Sequence, residues 1–143
     1  MLGFVELYFN SENITITYKA STQRLPVKTD RHQLSRVFNN VIKNAIQAIP
    51  EDEHGLLDVT VEAENDFAVV SISDNGEGIQ AEMAQKIFSP SFSTKNSGMG
   101  LGLAISKQII ESAGGKIWFE SEAGKGTDFF ITLPLQKTDD NEK

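Results

Sequence analysis

Two glycine-rich stretches sit where the hydrophobic period of the chain changes, and they limit the folds it can adopt. Asp74-Asn75-Gly76-Glu77-Gly78-Ile79 closes a run that alternates with period two, and further on Gly98-Met99-Gly100-Leu101-Gly102-Leu103 opens a run with helical spacing. The first puts a carboxylate on a flexible turn at a strand end; the second puts free backbone N–H groups at the positive end of a helix. That pairing suits a phosphate-bearing ligand, and a nucleotide site is the expectation it raises.

The rest of the pattern frames those two stretches. Residues 13–19 alternate Ile14, Ile16 and Tyr18 with threonines, as a strand does, and a shorter extended piece covers 25–28. From Asp30 the period becomes helical through Leu34, Val37, Phe38, Val41, Ala45, Ile46 and Ile49; Asp30 and Gln33 resemble a capping pair, and Pro50 ends the run. Leu57, Val59, Val61 and Ala63, then Ala68, Val70, Ile72 and Asp74 after Glu64-Asn65-Asp66, predict a hairpin. A short helix over 80–87 and a polar, serine-rich stretch over 89–97 lead to a second long helix marked by Leu101, Ala104, Ile105, Ile109 and Ala113 and stopped by Gly114-Gly115. A final hairpin turns at Ala123-Gly124-Lys125-Gly126, with Ile117, Phe119, Thr127, Phe129, Ile131 and Leu133 inward and Trp118 outward. Hairpins with helices on one face give an α+β fold, a two-layer α/β sandwich of a mixed, mostly antiparallel sheet and about three helices.

Composition narrows the partners. At 143 residues, 39% hydrophobic and 23% charged, residues 1–143 fit a single domain, with 135–143 expected as a loose tail and the isolated domain expected as a monomer. A net charge of −7 disfavours nucleic acid. The absence of cysteine leaves no disulfide framework or thiolate zinc site and favours a reducing, cytoplasmic setting, and no apolar run reaches the roughly eighteen residues of a membrane span. His32 and His54 are not flanked by residues that suggest catalysis or metal binding.

Several side chains could carry chemistry. Asn40, Asn44 and Gln47 share one edge of the first helix's apolar arc, and Asn40 and Asn44 stack one turn apart, where amide oxygens could hold a hard cation such as Mg²⁺. Taken alone, the pair is more simply two boundary asparagines bonded to water. Asp74 follows Ala68, Val70 and Ile72 toward the core layer with no cation nearby on its face, and Gly76 and Gly78 are expected to leave the approach open for a flat base whose amino group the acid could accept; taken alone, an Asp-Asn-Gly turn is the simpler reading. Lys95 could reach a terminal phosphate or be merely solvated, and Thr127 could bond Asp74 or a base, or be an ordinary strand threonine. A dinucleotide fingerprint is excluded because the stretch before Gly98 is too polar for a buried strand, and a P-loop because Gly124-Lys125-Gly126-Thr127 lies in a hairpin.

In this order and spacing the pieces resemble the ATP-binding catalytic domain of bacterial two-component sensor histidine kinases, within the superfamily shared with gyrase-type and Hsp90-type ATPases and their Bergerat-type fold. The resemblance covers residues 13–133. Phe38-Asn39-Asn40-Val41-Ile42-Lys43-Asn44-Ala45 is similar to the N box, Asp74-Asn75-Gly76-Glu77-Gly78 to the G1 box, Ile87-Phe88-Ser89-Pro90-Ser91-Phe92 to the F box, Gly98 to Gly102 to the G2 box, and Gly124-Lys125-Gly126-Thr127 to the last glycine box. It implies ATP and Mg²⁺ as cofactors, Asn44 as the Mg²⁺ ligand and Asp74 as reader of the adenine amino group. It also implies a mobile lid over 89–99, ATP contacts from Asn40, Asn44, Gln47, Asp74, Gly76, Gly78, Ile79, Lys95, Gly98, Gly100, Leu101, Gly102 and Thr127, and catalytic roles for Asn40, Asn44 and Lys95.

Two departures shape the expected activity. Many members carry Lys-Tyr where this chain has Gln47-Ala48, which leaves Lys95 as the phosphate lysine; gyrase-type and anti-sigma branches carry glutamate where this chain has Asn40. An amide cannot take a proton near neutral pH, so water or serine activation is not expected. The resemblance implies a protein-histidine kinase fragment, with residues 1–11 ending an upstream linker, the phosphoacceptor histidine on a separate dimerisation domain of the same parent, a response regulator receiver domain further on, and a parent free to carry an inner-membrane anchor. A stand-alone ATPase or serine kinase of the superfamily, and a nucleotide-gated binding module without chemistry, are the alternatives.

Overall fold

The computed structural model describes residues 14–20, 25–84, 86–89 and 99–136. Its five strands form one sheet: β1 (Ile14–Ala20), β2 (Gly55–Glu64), β3 (Phe67–Asp74), β4 (Lys116–Glu122) and β5 (Gly126–Pro134), in the order β1-β2-β3-β5-β4. The helices are α1 (Arg31–Gln47) between β1 and β2, the single turn α2 (Ala81–Ala84) after β3, and α3 (Met99–Ser112) before β4. Every strand pair is antiparallel except β1 with β2, which run parallel because α1 carries the chain back between them. The expected mixed sheet and two-layer sandwich are therefore present.

Local chemistry sets the element ends. The Asp30 carboxylate accepts from the backbone N–H groups of His32 at 2.8 Å and Gln33 at 3.2 Å, satisfying two otherwise open donors at the start of α1. At the end of α3 the Gly115 N–H reaches the Ile110 carbonyl and the Gly114 N–H the Glu111 carbonyl, the paired bonds of a Schellman cap. Two expectations need correction. The helix expected over 80–87 shrinks to Ala81–Ala84 and gives way to a turn that buries Ile87 and half-buries Phe88. Leu135 and Gln136, expected in the loose tail, are fastened by backbone bonds to Asp66 and Pro26, and Leu135 also bridges Val27.

The core lies between the helices and one face of the sheet. Val37, Phe38, Val41, Ile42 and Ala45 of α1 and Leu103 and Ile110 of α3 meet Leu57, Val59, Val70, Ile72, Ile117, Phe129, Ile131 and Leu133. The period-two residues of β3 and β5 expected to face inward are buried, while Ala63, near the end of β2, is exposed. On the opposite face Trp118 stacks on Phe130 with centroids 5.4 Å apart, which keeps it outward as its register requires. Phe129 is the hinge of the inner layer: its ring meets Phe119 at 5.6 Å and Phe88 at 6.4 Å, so the chain after α2 is seated on the sheet through aromatic edges. Phe129→Ala is expected to cost about 3–5 kcal/mol of unfolding free energy by chemical denaturation, with a loss under about 1 kcal/mol contradicting this placement.

Candidate functional site

The site is built where four elements end on one side of the sheet. On α1, Asn40 and Asn44 are half-buried and Gln47 is exposed in the last turn. The Asn40 amide donates to Ser106 Oγ at 3.3 Å, across the contact between α1 and α3. Ser106 is fully buried. The sequence did carry a signal for it, because the helical spacing of Leu103, Ser106 and Ile110 puts a hydroxyl on the core face of α3, where a polar group needs a partner.

Asp74 ends β3 between Leu57 of β2 and Thr127 of β5, and only 8% of its surface is exposed. Its Oδ1 accepts from the Gly76 N–H at 2.8 Å. Burial pushes its pKa above the ordinary carboxylate value; hydrogen bonds from the Gly76 and Thr127 backbone work against that rise, and the nearby charge of Asp128 adds to it. Among the described residues no lysine or arginine pairs with this carboxylate. A buried acid without a cation leaves its second oxygen suited to accept from an incoming N–H.

The segment after Asp74 is clamped from both sides. The Glu77 N–H donates to the Ala48 carbonyl at 2.9 Å, which ties the loop to the end of α1 one turn beyond Asn44, and the Glu77 carbonyl accepts from the Gly124 N–H at 2.6 Å in the β4–β5 turn. The clamp also gives the two glycines a packing reason that the sequence did not show. A Cβ on Gly76 would lie 2.6 Å from the Ala48 carbonyl oxygen, and one on Gly78, whose φ is +77°, would strike the Glu122 carbonyl. Protein backbone packed against the two positions on either side thus requires glycine at both. Asn75 is equally structural: its side chain accepts from Leu56 N–H and donates to the His54 carbonyl, stapling the start of β2.

Ile79 and Thr127 are joined by a residue that sequence reasoning passed over. Ser121 Oγ accepts from the Ile79 N–H at 2.7 Å, donates to the Gly126 carbonyl at 3.0 Å and lies 2.8 Å from Thr127 Oγ1. Thr127 is buried and pairs across the strands with Asp74. Ser121 follows Ile117 and Phe119 with period two, so its inward direction was available from the strand pattern.

The structure therefore brings Asp74, Gly76, Gly78, Ile79 and Thr127 together, and the clamp at Ala48 joins them to the end of α1 that carries Asn44 and Gln47. Gly100, Leu101 and Gly102 lie in the first turn of α3, as the sequence required, which gives that stretch a helix N-terminus. Lys95 and Gly98 lie outside the described residues, as does most of the expected lid. The His54 backbone meets Asn75, while its side chain turns to β1, with Nε2 2.6 Å from Thr15 Oγ1. Among the described residues no helix is long and apolar enough to cross a membrane.

Comparison with known proteins places this arrangement. The chain is 38% identical over 129 residues to the sensor histidine kinase ZraS of Escherichia coli K12, which covers 90% of this chain and 27% of that protein. It is 41% identical over 113 residues to sporulation kinase E of Bacillus subtilis, covering 78% of this chain and 15% of the relative. The chain thus spans about a quarter or less of these relatives. Among solved structures, a nucleotide-free catalytic domain of the histidine kinase ThkA superposes with a TM-score of 0.81 at 34% identity, over 94% of this chain and 89% of that one. The mycobacterial sensor histidine kinase MprB gives 0.77 at 26% identity, over 96% and 92%. With residues 29–137 matching the family model, the chain belongs to the histidine kinase-, DNA gyrase B-, and HSP90-like ATPase family, and its relatives there include sensor histidine kinases.

Proposed function

We propose that this chain is the ATP-binding catalytic domain of a longer sensor histidine kinase, which binds Mg-ATP and donates the γ-phosphoryl group to a histidine on a separate dimerisation domain of its parent. The observation that carries the reading is Asp74, a buried carboxylate that accepts backbone bonds from Gly76 and Thr127 and, among the described residues, pairs with no cation. The lone pairs that the carboxylate keeps can accept an adenine amino group, while the helix start at Met99 offers backbone donors to phosphate. Gln47, Ile79 and Thr127 complete the nucleotide contacts, and Lys95 supplies the cation for the terminal phosphate.

Mg²⁺ fits the donor set: Asn44 provides a hard amide oxygen, and Mg²⁺ keeps waters and takes its other ligands from phosphate rather than from an all-protein cage. Bound there, the ion would neutralise charge that develops on the transferring phosphoryl group. Asn40, with its amide tied to Ser106, positions but cannot take a proton, so this chain holds ATP without activating water. The acceptor histidine is then supplied by the partner domain, with a response regulator downstream. Domains of this kind draw on cytoplasmic ATP, and we place this one in that compartment as a single unit.

Three outcomes are expected. Asp74→Asn keeps one oxygen for the Gly76 N–H and turns its NH₂ toward the adenine amino group; donor then faces donor, and ATP affinity measured by calorimetry falls about 100-fold. The same substitution stabilises the apo fold at neutral pH. Because Asp74 has a raised pKa when folded, burying its charged form costs stability above the ordinary value of 3.8, and that cost grows as pH rises through the folded pKa. Thermal melting should accordingly show the variant above wild type at pH 7, with the gap closing as pH approaches 3.8; a variant less stable at pH 7 contradicts the cost. Mixed with labelled ATP, Mg²⁺ and the parent's histidine-bearing helical domain, the chain should label that histidine while hydrolysing ATP slowly alone. Brisk hydrolysis without a partner, or tight binding without transfer, overturns the kinase reading.

A further inference from the structure

Proton counting around Ser121 fixes the polarity of the site beside Asp74. Ser121 Oγ carries one proton and meets three groups: the Ile79 N–H at 2.7 Å, the Gly126 carbonyl at 3.0 Å and Thr127 Oγ1 at 2.8 Å. The Ile79 N–H can only donate, so it occupies a lone pair of Ser121. The Gly126 carbonyl can only accept, and the Ser121 hydroxyl is placed to donate to it at 3.0 Å. With the Ser121 proton on that carbonyl none is left for Thr127, and the 2.8 Å contact between the two hydroxyls is then made by the Thr127 proton; the opposite arrangement, Ser121 to Thr127, would take this donor away from the Gly126 carbonyl. Thr127 is thereby left with lone pairs alone to offer, next to Asp74, its cross-strand partner.

We propose that Ser121 is a specificity-determining positioning residue: by locking the Thr127 hydroxyl as an acceptor it makes this end of the pocket acceptor-only, which admits a 6-amino purine and rejects a 6-oxo purine. This rests on the adenine-nucleotide reading above. An amino group meets acceptors, whereas a 6-oxo base held in the same pose puts its carbonyl, and not its neighbouring N1–H, against the lone pairs of Asp74 and Thr127. Buried polar groups left unpaired in this way discriminate far more strongly than differences in shape. Ser121 touches neither base nor phosphate in this scheme and acts through Thr127. Its place on β4, bonded to Ile79 beyond the glycine clamp, also fixes the loop and the hydroxyl in one frame.

The test is a comparison of ATP and inosine triphosphate affinities, with Mg²⁺, for the whole chain and its variants. In Ser121→Ala the Thr127 proton is free to turn toward the base, so ATP affinity falls about tenfold while inosine triphosphate binds as well as before or better, and the preference for ATP drops at least about tenfold. Simple loosening of the loop would weaken both nucleotides alike and leave the ratio unchanged, which overturns the proposal. Ser121→Thr keeps the hydroxyl and restores the ratio; loss of preference in that variant counts against the mechanism. Thr127→Val leaves the bond from Ile79 to Ser121 in place and lowers the ratio, so an unchanged ratio there overturns the proposal even if Ser121→Ala does not fold. Failure of the underlying reading looks different: a wild-type chain that binds neither triphosphate, or an Asp74→Asn variant that binds ATP like wild type, overturns the nucleotide assignment and this inference together.

Discussion

The rest of the site depends on the double clamp of the loop after β3. One backbone bond ties Glu77 to the last turn of α1, another ties it to the β4–β5 turn, and no side chain larger than hydrogen fits at Gly76 or Gly78 against those backbones. Because the clamp uses main-chain groups, it holds Asp74, α1 and the last hairpin in fixed relation whatever the surface residues are. It also puts the carboxylate where strand pairing with Thr127 and burial by the layer above remove it from water. A site on rigid elements of this kind can place a base within a fraction of an ångström, which a loop alone does not do.

Burial of Asp74 links fold to function through an opposition. A buried carboxylate without a cation destabilises the folded state, yet the lone pairs it keeps are what give a ligand N–H its advantage over water. The surrounding polar groups limit the damage without quenching that advantage: Gly76 and Thr127 satisfy part of the acid from the backbone, and the hydroxyl of Thr127 lies 2.8 Å from that of Ser121. On α1 the bond from Asn40 to Ser106 ties that amide to α3.

Much of this was legible in the sequence, because burial on one face imposes a period that residues must obey. The alternation through Ala68, Val70, Ile72 and Asp74, the helical arc from Leu34, and the glycine stop of α3 each have a local cause. What escaped was non-local. Nothing in residues 14–20 states that they pair parallel with β2, since that follows from the path of α1. The reason for Gly76 and Gly78 lies in Ala48 and Glu122, which only folding brings near, so the sequence assigned their space to a ligand. Ser121 and Ser106 did sit in readable periods, but a lone serine gains meaning only from the partners facing it: Ile79, Gly126 and Thr127 in one case, Asn40 in the other.

The central claim is that the buried oxygen of Asp74 receives the amino group of adenine. A crystal structure of the chain with Mg²⁺ and a non-hydrolysable ATP analogue measures this directly. The account predicts the adenine amino nitrogen at hydrogen-bonding distance, about 3 Å, from the Asp74 oxygen that does not bond Gly76. A base seated elsewhere, or one that meets Asp74 only through its ribose or phosphates, would contradict it.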